Sequence, residues 1–486
     1  MQRGFAVKVL VINEPYIKGF NRTQRWAGRT RGRVLRAPDW LAYATAVLER
    51  SGIGAKLYDF PAEGLDKQDL RRLVRNENPD FVVLDSTTPS IFSDIECARI
   101  CKEESRAKVI MVGPHASALP EETMEISEGV VDVICIGEYD HTVLDVVSNY
   151  PNLKEIKGIC SLEDGRARRT QPRPLIDDID SLPFPAWHQL DLMKYFDGSK
   201  LYPYIDIFSG RGCPHKCVFC LWPQVMHGHK IRLRSARNVV DEIECDIRQC
   251  PQVVRGGEFF FEDDTFTLIK ANAMEICEEI LRRDLKITFS VNARADTADK
   301  ELFGLMKRAG CRQLLVGFES GDHEMLVRMN KRKSLDDSLR FMELAKKSGL
   351  NVHGCFVLGL PGETRESMDR TLRFALGLGL HTVQFSAAVP FPGTVYFDQC
   401  LEAGLLKELI WDNWLDNGEQ APVVEYPGLS REAVADAVDR GLKSFYLRPT
   451  YMIRFLLATR SASDLYRKIR GARNFFSYLC TEHSVR

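Results

Sequence analysis

The stretch YIDIFSGRGCPHKCVFCLW, residues 204–222, decides the fold because it joins a buried-looking strand directly to a loop of cysteines. Its first residues are apolar and β-prone, which predicts a strand. Cys213, Cys217 and Cys220 follow in the C-x3-C-x2-C spacing. Three thiols on one short loop after a strand predict a metal-binding loop on an α/β scaffold.

The spacing of these cysteines favours an iron–sulfur cluster. A short flexible loop lets several thiolates wrap one cube, and three ligands leave one iron of a [4Fe–4S] cluster open. The open iron can chelate the amino and carboxylate groups of S-adenosylmethionine (SAM) beside a cluster that delivers one electron. Reductive cleavage then yields methionine and a 5′-deoxyadenosyl radical. We therefore predict Cys213, Cys217 and Cys220 as cluster ligands and catalytic centre, with Phe219 shielding the cluster from water.

The spacing alone leaves two alternatives to a cluster open. A structural zinc ion could be completed by His215, His227 or His229, since Cys3His is an accepted ligand set. Zinc sites usually combine two separated ligand pairs, however, and the sequence has no second CxxC pair. The cysteines could also be buried structural residues. The non-enzymatic alternative for the whole chain is a zinc- or cluster-bearing binding protein.

Residue 204 opens the second of two α/β series. Six apolar runs alternate with helical stretches of about 15–25 residues, which predicts a partial (β/α)6 barrel over residues 199–400. Residues 401–486 lack this alternation and predict a helical C-terminal cap broken at Pro449. The barrel runs are YIDIFSG (204–210), GEFFFEDD (257–264), ITFSVNA (287–293), QLLVGFES (313–320), VHGCFVLG (352–359) and TVQFSAAVP (382–390).

Residues 1–150 carry an earlier series of five apolar runs alternating with helices. This order predicts a parallel sheet wound on both faces, a flavodoxin- or Rossmann-like domain. Ligands of such sheets sit beyond the carboxyl ends of the strands. Each small or polar residue there could be an ordinary turn residue. Together they outline one crevice: Asn13, Ser86, Thr87, Thr88, Gly113, Pro114, Gly137 and Glu138. The runs are VKVLVIN (7–13), AKLYDF (55–60), FVVLDS (81–86), KVIMVG (108–113) and VDVICIG (131–137).

Composition narrows the class of protein. Lys+Arg 66 against Asp+Glu 67 gives a net charge of −1, so nothing indicates a nucleic-acid partner. No run of eighteen apolar residues predicts a membrane-spanning helix. Fourteen cysteines without a secretory signal argue for a reducing compartment, and we expect a cytoplasmic protein. Residues 151–198, rich in Asp and Pro, predict a surface linker.

Two basic segments leave alternatives open. The loop from Asn21 to Arg36 holds six arginines, and it is either a solvated loop or a contact to a phosphate group. Residues 431–486 are basic and interleaved with aromatic residues. They predict an amphipathic cap packed on the barrel, or a face that rests peripherally on an anionic membrane and admits a lipid substrate.

The cysteine loop and the domain before it resemble a known family. CxxxCxφC after a first barrel strand is similar to the signature of the radical SAM superfamily, and the preceding α/β domain resembles its cobalamin-binding branch. Within that branch the chain is most similar to hopanoid-biosynthesis-associated radical SAM proteins, a group proposed to contract an amino-sugar headgroup into a cyclopentane cyclitol ether. The shared stretches cover nearly all the chain: TPSIFSD (88–94), GRGC…CxFCLWPQ (210–224), GHKIRLRS (228–235), FFFEDDTFT (259–267), VGFESG (316–321), HGCFVLGLPGET (353–364) and RPTYMIR (448–454).

The resemblance implies SAM-binding roles at the strand ends. Glu262, Asp263 and Asp264 would accept hydrogen bonds from the SAM amino group. Asn292 and Arg294 would bind ribose hydroxyls and the methionine carboxylate, for which a guanidinium is suited. The binding site would thus span the second and third barrel strands.

The same resemblance extends the site to the later strands. Glu319 would reach the ribose, and Gly359 would let the backbone approach the adenine. Pro390 would contact the adenine edge. Cys355 could point into the barrel, where a thiol is more often a small buried apolar group than a hydrogen donor.

The resemblance also implies cobalamin in the crevice of the first domain. This domain departs from many cobalamin proteins because it has no D-x-H-x-x-G run, and LDSTTPS follows its third strand instead. We therefore expect no protein histidine below the cobalt. The implied reaction is ring contraction of a sugar-like headgroup on a hopanoid-type lipid, with electrons from a donor such as flavodoxin or ferredoxin. The alternatives are methylation of an unactivated carbon of a small-molecule or lipid substrate and radical cyclisation of a tetrapyrrole.

Overall fold

A computed structural model describes residues 7–23, 25–406, 411–416, 418–457 and 462–479. The first residues of the predicted domain 1–150 and parts of the predicted domain 401–486 lie outside the described residues.

The first sheet has seven strands in the order β2-β1-β3-β4-β5-β6-β7. The first five pair in parallel, as expected for runs that are apolar on both faces. The order 2-1-3-4-5 places a switch point between β1 and β3, where ligands of such folds bind. The bounds are β1 Lys8–Asn13, β2 Gly54–Asp59, β3 Phe81–Leu84, β4 Lys108–Met111, β5 Val133–Cys135, β6 Ile159–Glu163 and β7 Arg166–Arg169.

The strands β6 and β7 correct the predicted linker 151–198. They form an antiparallel hairpin that extends the sheet beyond β5, with Ile159 pairing with Cys135. Ile159, Cys160 and Ser161 are buried, and the turn is Asp164-Gly165 with φ of 50° and 75°. An Asp-Gly pair between two short runs is a strong hairpin signal, which the Asp- and Pro-rich composition of the surrounding segment obscured.

The second sheet has six parallel strands in the order β15-β14-β13-β12-β11-β8, an open barrel as predicted. A two-residue antiparallel ladder of β9 and β10 brackets the cysteine loop, and β16 pairs with β17 near the C-terminal cap. The bounds are β8 Tyr204–Ile207, β9 Gly210–Arg211, β10 Arg232–Leu233, β11 Glu258–Phe261, β12 Phe289–Ala293, β13 Cys311–Glu319, β14 Asn351–Leu358, β15 Thr382–Ala387, β16 Leu415–Asp416 and β17 Glu419–Gln420.

Helices cover both sheets and form the C-terminal cap. In chain order they are α1 Asp39–Arg50, α2 Phe60–Glu63, α3 Lys67–Glu77, α4 Ile91–Glu104, α5 Pro114–Ala118, α6 Pro120–Ile126, α7 Asp140–Asn149, α8 Leu221–Val225, α9 Ala236–Gln249, α10 Lys270–Arg282, α11 Lys300–Ala309, α12 His323–Arg328, α13 Leu335–Lys347, α14 Arg365–Gly377, α15 Val395–Glu402, α16 Arg431–Tyr446, α17 Pro449–Leu457 and α18 Ala462–Leu479.

The cap begins with α16, which packs on the open edge of the barrel. The Tyr446 hydroxyl donates to the Val383 carbonyl (2.7 Å) and accepts from the Val383 amide (3.0 Å) on β15. Gly441 lies so close to Phe385 that an added Cβ would approach its ring to 2.8 Å. The predicted helical cap is thus observed in α16–α18. Within the described ranges, no helix is both long and apolar enough to cross a membrane.

Candidate active site

The cysteine loop sits at the carboxyl end of the barrel, between β9 and β10. Gly212 begins it with φ +96°, and a Cβ there would lie 2.1 Å from the Lys230 carbonyl oxygen, so the two arms of the loop require glycine. Cys213 and Cys217 are each 7% exposed. The Gln224 amide donates to the Cys220 carbonyl at 2.6 Å and thereby fixes the end of the loop.

The loop suits a cluster better than a single metal ion. Among the described residues, no three His, Cys, Asp or Glu side chains converge closely enough to hold one ion. A cube holds its cysteines further apart than a single tetrahedral ion does, so loop thiols spaced more widely remain compatible with it. Burial raises the pKa of the Cys220 thiol to about 12, and the nearby charge of Arg25 only partly opposes this rise. The free thiol is therefore protonated, and binding of iron would release its proton.

The histidines of the zinc alternative have other partners. His227 Nε2 lies 2.6 Å from Asp264 Oδ2, and His229 Nδ1 bonds the Cys213 carbonyl at 2.9 Å. His215 is half-buried on the loop, and burial lowers its pKa. His227 and His229 thus help to hold the cysteine loop and its surroundings in place.

The predicted acidic triplet lies together after β11, but other residues already neutralise it. Asp263 accepts from the Ser209 hydroxyl at 2.6 Å, and burial raises its pKa to about 7 against the effect of that bond. Burial acts likewise on Asp264, but His227 and Arg25 outweigh it and lower its pKa. An ammonium group of SAM would therefore enter a network of existing ion pairs.

The partners of these acids are residues that the sequence pattern did not single out. Arg25 lies 2.9 Å from Asp264 and 3.9 Å from Glu262, and Arg36 lies 3.1 Å from Glu262. Both arginines belong to the loop 21–36 of the first domain. The sequence predicted that this loop is either solvated or in contact with a phosphate group, and neither prediction included an ion pair with the second domain. The abundance of arginine in that loop was the available signal, but it carried no information about the distant acids.

Strands β12 and β13 contribute a second polar group beside Cys217. Asn292 donates to the Asp263 carbonyl (3.0 Å), and Arg294 donates to the Lys331 carbonyl (2.8 Å). Arg294 Nη1 also lies 3.9 Å from Cys217 Sγ. Glu319 adopts φ +63°, rare for a non-glycine residue, and accepts from Lys331 Nζ at 2.6 Å. These predicted residues therefore lie together, already engaged with one another.

The remaining predicted SAM contacts line the far side of the mouth. Gly359 has φ +86°, and a Cβ there would lie 2.8 Å from Val434 on α16, so the bend also serves the packing of the cap. Pro390 is buried, and Phe219 packs on an apolar group beside the loop. Cys355 lies on β14 with intermediate exposure, unlike a fully buried apolar residue. The contacts of Phe219, Gly359 and Pro390 with SAM stay predictions.

The residues predicted to outline the crevice of the first domain lie at or just beyond the carboxyl ends of its parallel strands. The side chains there bond chiefly to one another: Asn13 donates to Asp59 (2.9 Å), Ser86 donates to the Val112 carbonyl (2.6 Å), and Thr87 lies 2.7 Å from Ser90. Thr88 bonds His115 Nδ1 (3.1 Å), Pro114 begins α5 and Gly137 donates to Ser117.

One feature of the crevice fits a bound ligand. His115 is 1% exposed, and its Nε2 has no hydrogen-bond partner among the described residues. Burial lowers the pKa of His115 to about 3, so the ring is neutral. A buried ring nitrogen without a partner is costly, and a ligand or water in the crevice would satisfy it.

Gly113 gives a first prediction. It has φ +98°, and a Cβ would lie 2.2 Å from Asp85 Oδ1 and 2.5 Å from the Ser86 carbonyl. We expect Gly113→Ala to destabilise the first domain by at least about 2 kcal/mol, from backbone strain plus overlap. Thermal unfolding and hydroxocobalamin titration should both shift, whereas Gly52→Ala, at φ +78° with nothing within 4 Å, should retain hydroxocobalamin binding. Unchanged binding in Gly113→Ala would contradict this geometry.

Glu138, one of the predicted cobalamin contacts, bonds to residues of the second domain. Both of its carboxylate oxygens accept from Arg232, at 2.7 Å each, and a third contact joins it to Arg211 at 3.7 Å. The carboxylate is fully used in linking the two domains. Sequence position alone placed Glu138 at the crevice and could not reveal its partners, which lie about a hundred residues away in the chain.

The fold and the site together define an iron–sulfur enzyme with an open barrel and a cofactor-binding domain in front of it. Comparison with known proteins agrees. Residues 207–375 match the radical SAM superfamily, and residues 37–147 match the B12 binding domain.

Relatives cover nearly the whole chain. An uncharacterized methyltransferase of Pyrococcus horikoshii is 30% identical over 454 residues, 92% of this chain and 94% of that protein. The anaerobic magnesium-protoporphyrin IX monomethyl ester cyclase of Rubrivivax gelatinosus is 24% identical over 433 residues, 85% and 74% of the two chains. The radical SAM methyltransferase TsrM of Kitasatospora setae, solved with cobalamin and a [4Fe–4S] cluster, shares the fold with a TM-score of 0.73, 17% identity and coverage of 98% and 99%.

The chain belongs to the radical SAM superfamily, in the branch with an N-terminal cobalamin-binding domain. It is a cobalamin-dependent radical SAM enzyme whose cofactors are a [4Fe–4S] cluster, SAM and cobalamin. None of these three proteins is described as contracting a ring or acting on a hopanoid, so the specific reaction expected from the sequence has no support from them.

Proposed function

We propose that the protein is a cobalamin-dependent radical SAM methyltransferase that methylates an unactivated carbon of a small-molecule or lipid substrate. The observation that carries the proposal is the direct contact between the cysteine loop and the cobalamin-binding domain. Trp222, two residues after Cys220, stacks on Trp40 of α1 with ring centroids 5.7 Å apart and planes 9° apart. Methyl transfer by way of cobalamin needs the SAM site and the cobalamin site to face each other at short range.

The residues around the site have separable tasks. Cys213, Cys217 and Cys220 would hold the cluster, and the cofactors together supply a methyl group and a carbon radical. Arg294 and Lys331 keep positive charge beside the cysteines: burial alone would lower the pKa of Lys331, but Glu319 and Cys217 raise it. This charge would stabilise thiolates and bind the SAM carboxylate. The stack of buried Trp40 on partly buried Trp222 would limit access of water from that side of the loop.

The relatives support methyl transfer over the other reactions. The more similar curated relative is named a methyltransferase, and so is the structural neighbour. The cyclase relative keeps cyclisation of a tetrapyrrole as a second candidate. Ring contraction rests only on the sequence resemblance, and we replace it with methyl transfer as the leading function.

The proposal leaves the substrate class and partners as predictions. A lipid substrate would agree with the exposed apolar residues Ile453 (59%), Leu457 (81%) and Ile469 (59%) on α17 and α18. A reduced flavodoxin or ferredoxin would supply the electron. Contact of these helices with a membrane surface is part of the same prediction.

The experiment uses SAM that carries a deuterated methyl group. Anaerobically reconstituted enzyme, cobalamin and a reductant are incubated with a metabolite and lipid extract, and products are analysed by mass spectrometry. We expect a product in which one hydrogen is replaced by the deuterated methyl group, with S-adenosylhomocysteine and 5′-deoxyadenosine both released. A converted substrate without added carbon would contradict methyl transfer, and loss of hydrogen with ring closure would favour the cyclase.

A further inference from the structure

Two buried arginines anchor both arms of the cysteine loop on the cobalamin-binding domain. Arg211 on β9 and Arg232 on β10 face each other in the antiparallel ladder that closes the loop. Arg211 donates to both oxygens of Asp140, at 2.8 and 3.0 Å. Arg232 donates to both oxygens of Glu138, at 2.7 Å each. The chain entering the loop and the chain leaving it are thus held by one short stretch after β5.

These pairs are buried and directional. The four side chains are between 0% and 3% exposed. The Arg211 guanidinium also lies over the Trp40 ring, 4.5 Å from its centroid. A two-point Arg–carboxylate pair fixes orientation as well as distance, and breaking it in the interior leaves an uncompensated charge. The two pairs therefore resist relative movement of the loop and the domain.

The anchoring stretch is also the edge of the cobalamin crevice. Gly137, one of the predicted crevice residues, directly precedes Glu138, and a Cβ on it would lie 3.3 Å from the Met226 carbonyl just beyond α8. Glu138 also accepts from the Ile176 amide at 3.0 Å, which ties in the connecting segment. The loop that carries the cysteines and the edge that faces cobalamin are consequently parts of one packed unit.

We propose that the pairs Arg211–Asp140 and Arg232–Glu138 are positioning residues that set the distance between SAM on the cysteine loop and cobalamin in the crevice. This inference rests on the proposed function. The four side chains bond to one another and would act through the loop. Reductive cleavage of SAM needs the cluster alone, so it tolerates a shift of the loop. Methyl transfer needs the sulfonium carbon aligned with cobalt, and a displacement of about 1 Å can cost roughly 100-fold.

The test compares two products of SAM in the same reconstituted protein. Methyl transfer to reduced cobalamin releases S-adenosylhomocysteine, whereas reductive cleavage releases 5′-deoxyadenosine. In Glu138→Gln and Asp140→Asn we expect the ratio of the first product to the second to fall by at least about tenfold, with iron content and 5′-deoxyadenosine formation within about twofold of wild type. In the cofactor-free protein, amide hydrogen exchange of residues 212–231 should accelerate.

A matched control separates positioning from general destabilisation. Glu258, which is fully buried, forms a two-point pair with the partly buried Arg312 in the barrel, at 2.8 Å for both bonds. Glu258→Gln should lower the unfolding temperature and leave the product ratio unchanged. If Glu138→Gln does not fold, Arg232→Lys keeps the charge and removes the two-point geometry, and it should show the same loss of ratio.

The inference is overturned if the ratio stays within about twofold of wild type in Glu138→Gln and Asp140→Asn, or if Glu258→Gln lowers it equally. Failure of the proposed methyl transfer gives a different result from failure of this inference. In that case the wild-type protein itself would release no S-adenosylhomocysteine.

Discussion

Replacing Cys217 by serine should abolish SAM cleavage. Cys217 is 7% exposed and lies beside Arg294 and Lys331. A serine there would keep the shape of the loop, but it would lack the thiolate that the cluster needs. We expect less than about one iron per chain after anaerobic reconstitution, against about four in the wild-type protein. Formation of 5′-deoxyadenosine should fall by roughly 1,000-fold or more. Iron analysis, absorption near 400 nm and chromatography of the nucleosides measure these effects.

Cys245 provides the matched control for this substitution. It lies on α9 with intermediate exposure and accepts a hydrogen bond from Gln249 at 3.4 Å. Cys245→Ser should keep its iron and its SAM cleavage. Retention of a full cluster and normal cleavage in Cys217→Ser would refute the assignment of the loop.

Replacing Glu319 by glutamine should weaken both SAM binding and the barrel. Glu319 and Lys331 are a buried ion pair, with side chains 8% and 7% exposed. Lys333 lies nearby, where burial and the charge of Lys331 lower its pKa to about 7. Without the carboxylate, the buried ammonium groups lose their compensating charge, which costs about 3–5 kcal/mol for such a pair. We expect a lower unfolding temperature and at least about tenfold weaker SAM binding in equilibrium dialysis.

An exposed pair on the next helix tests whether burial is the cause. Glu324 pairs with Arg328 on α12, with side chains 73% and 51% exposed. Surface pairs contribute about 0–1 kcal/mol, so Glu324→Gln should leave both measurements nearly unchanged. Equal effects of the two substitutions would show that burial of Glu319 is not what matters.

The central parallel strands of the first sheet could be predicted from sequence because strands covered by helices on both faces are apolar along their whole length. The run FVVLDS at 81–86 illustrates this: all four residues of β3 are buried. The hairpin β6–β7 lacks this property, since Arg166–Arg169 is largely exposed. Its one sequence signal, Asp164-Gly165, stood in a segment whose composition indicated a linker.

The candidate site could be predicted from sequence only where its functional residues lie within one short segment. Cys213, Cys217 and Cys220 stand within one loop, so their spacing favoured a cluster over a zinc ion or buried structural cysteines. Arg25 meets Asp264 across 239 positions of chain, and no local pattern encodes that contact. Contacts between charged residues of different domains depend on the three-dimensional fold. The sequence therefore could not show that Glu262 and Asp264 are paired with arginines, and both were expected to be free to bind SAM.

The arginines of loop 21–36 also make the two halves of the protein interdependent. A fragment that starts at residue 199 would keep every barrel strand and all three cysteines, yet Glu262 and Asp264 would lose Arg36 and Arg25. Arg232 would likewise be left without Glu138. Unmatched charges at so many points would favour an insoluble or loosely packed barrel. The catalytic half therefore cannot be transplanted alone, and engineering by domain exchange must move the arginine loop together with the acids that it meets.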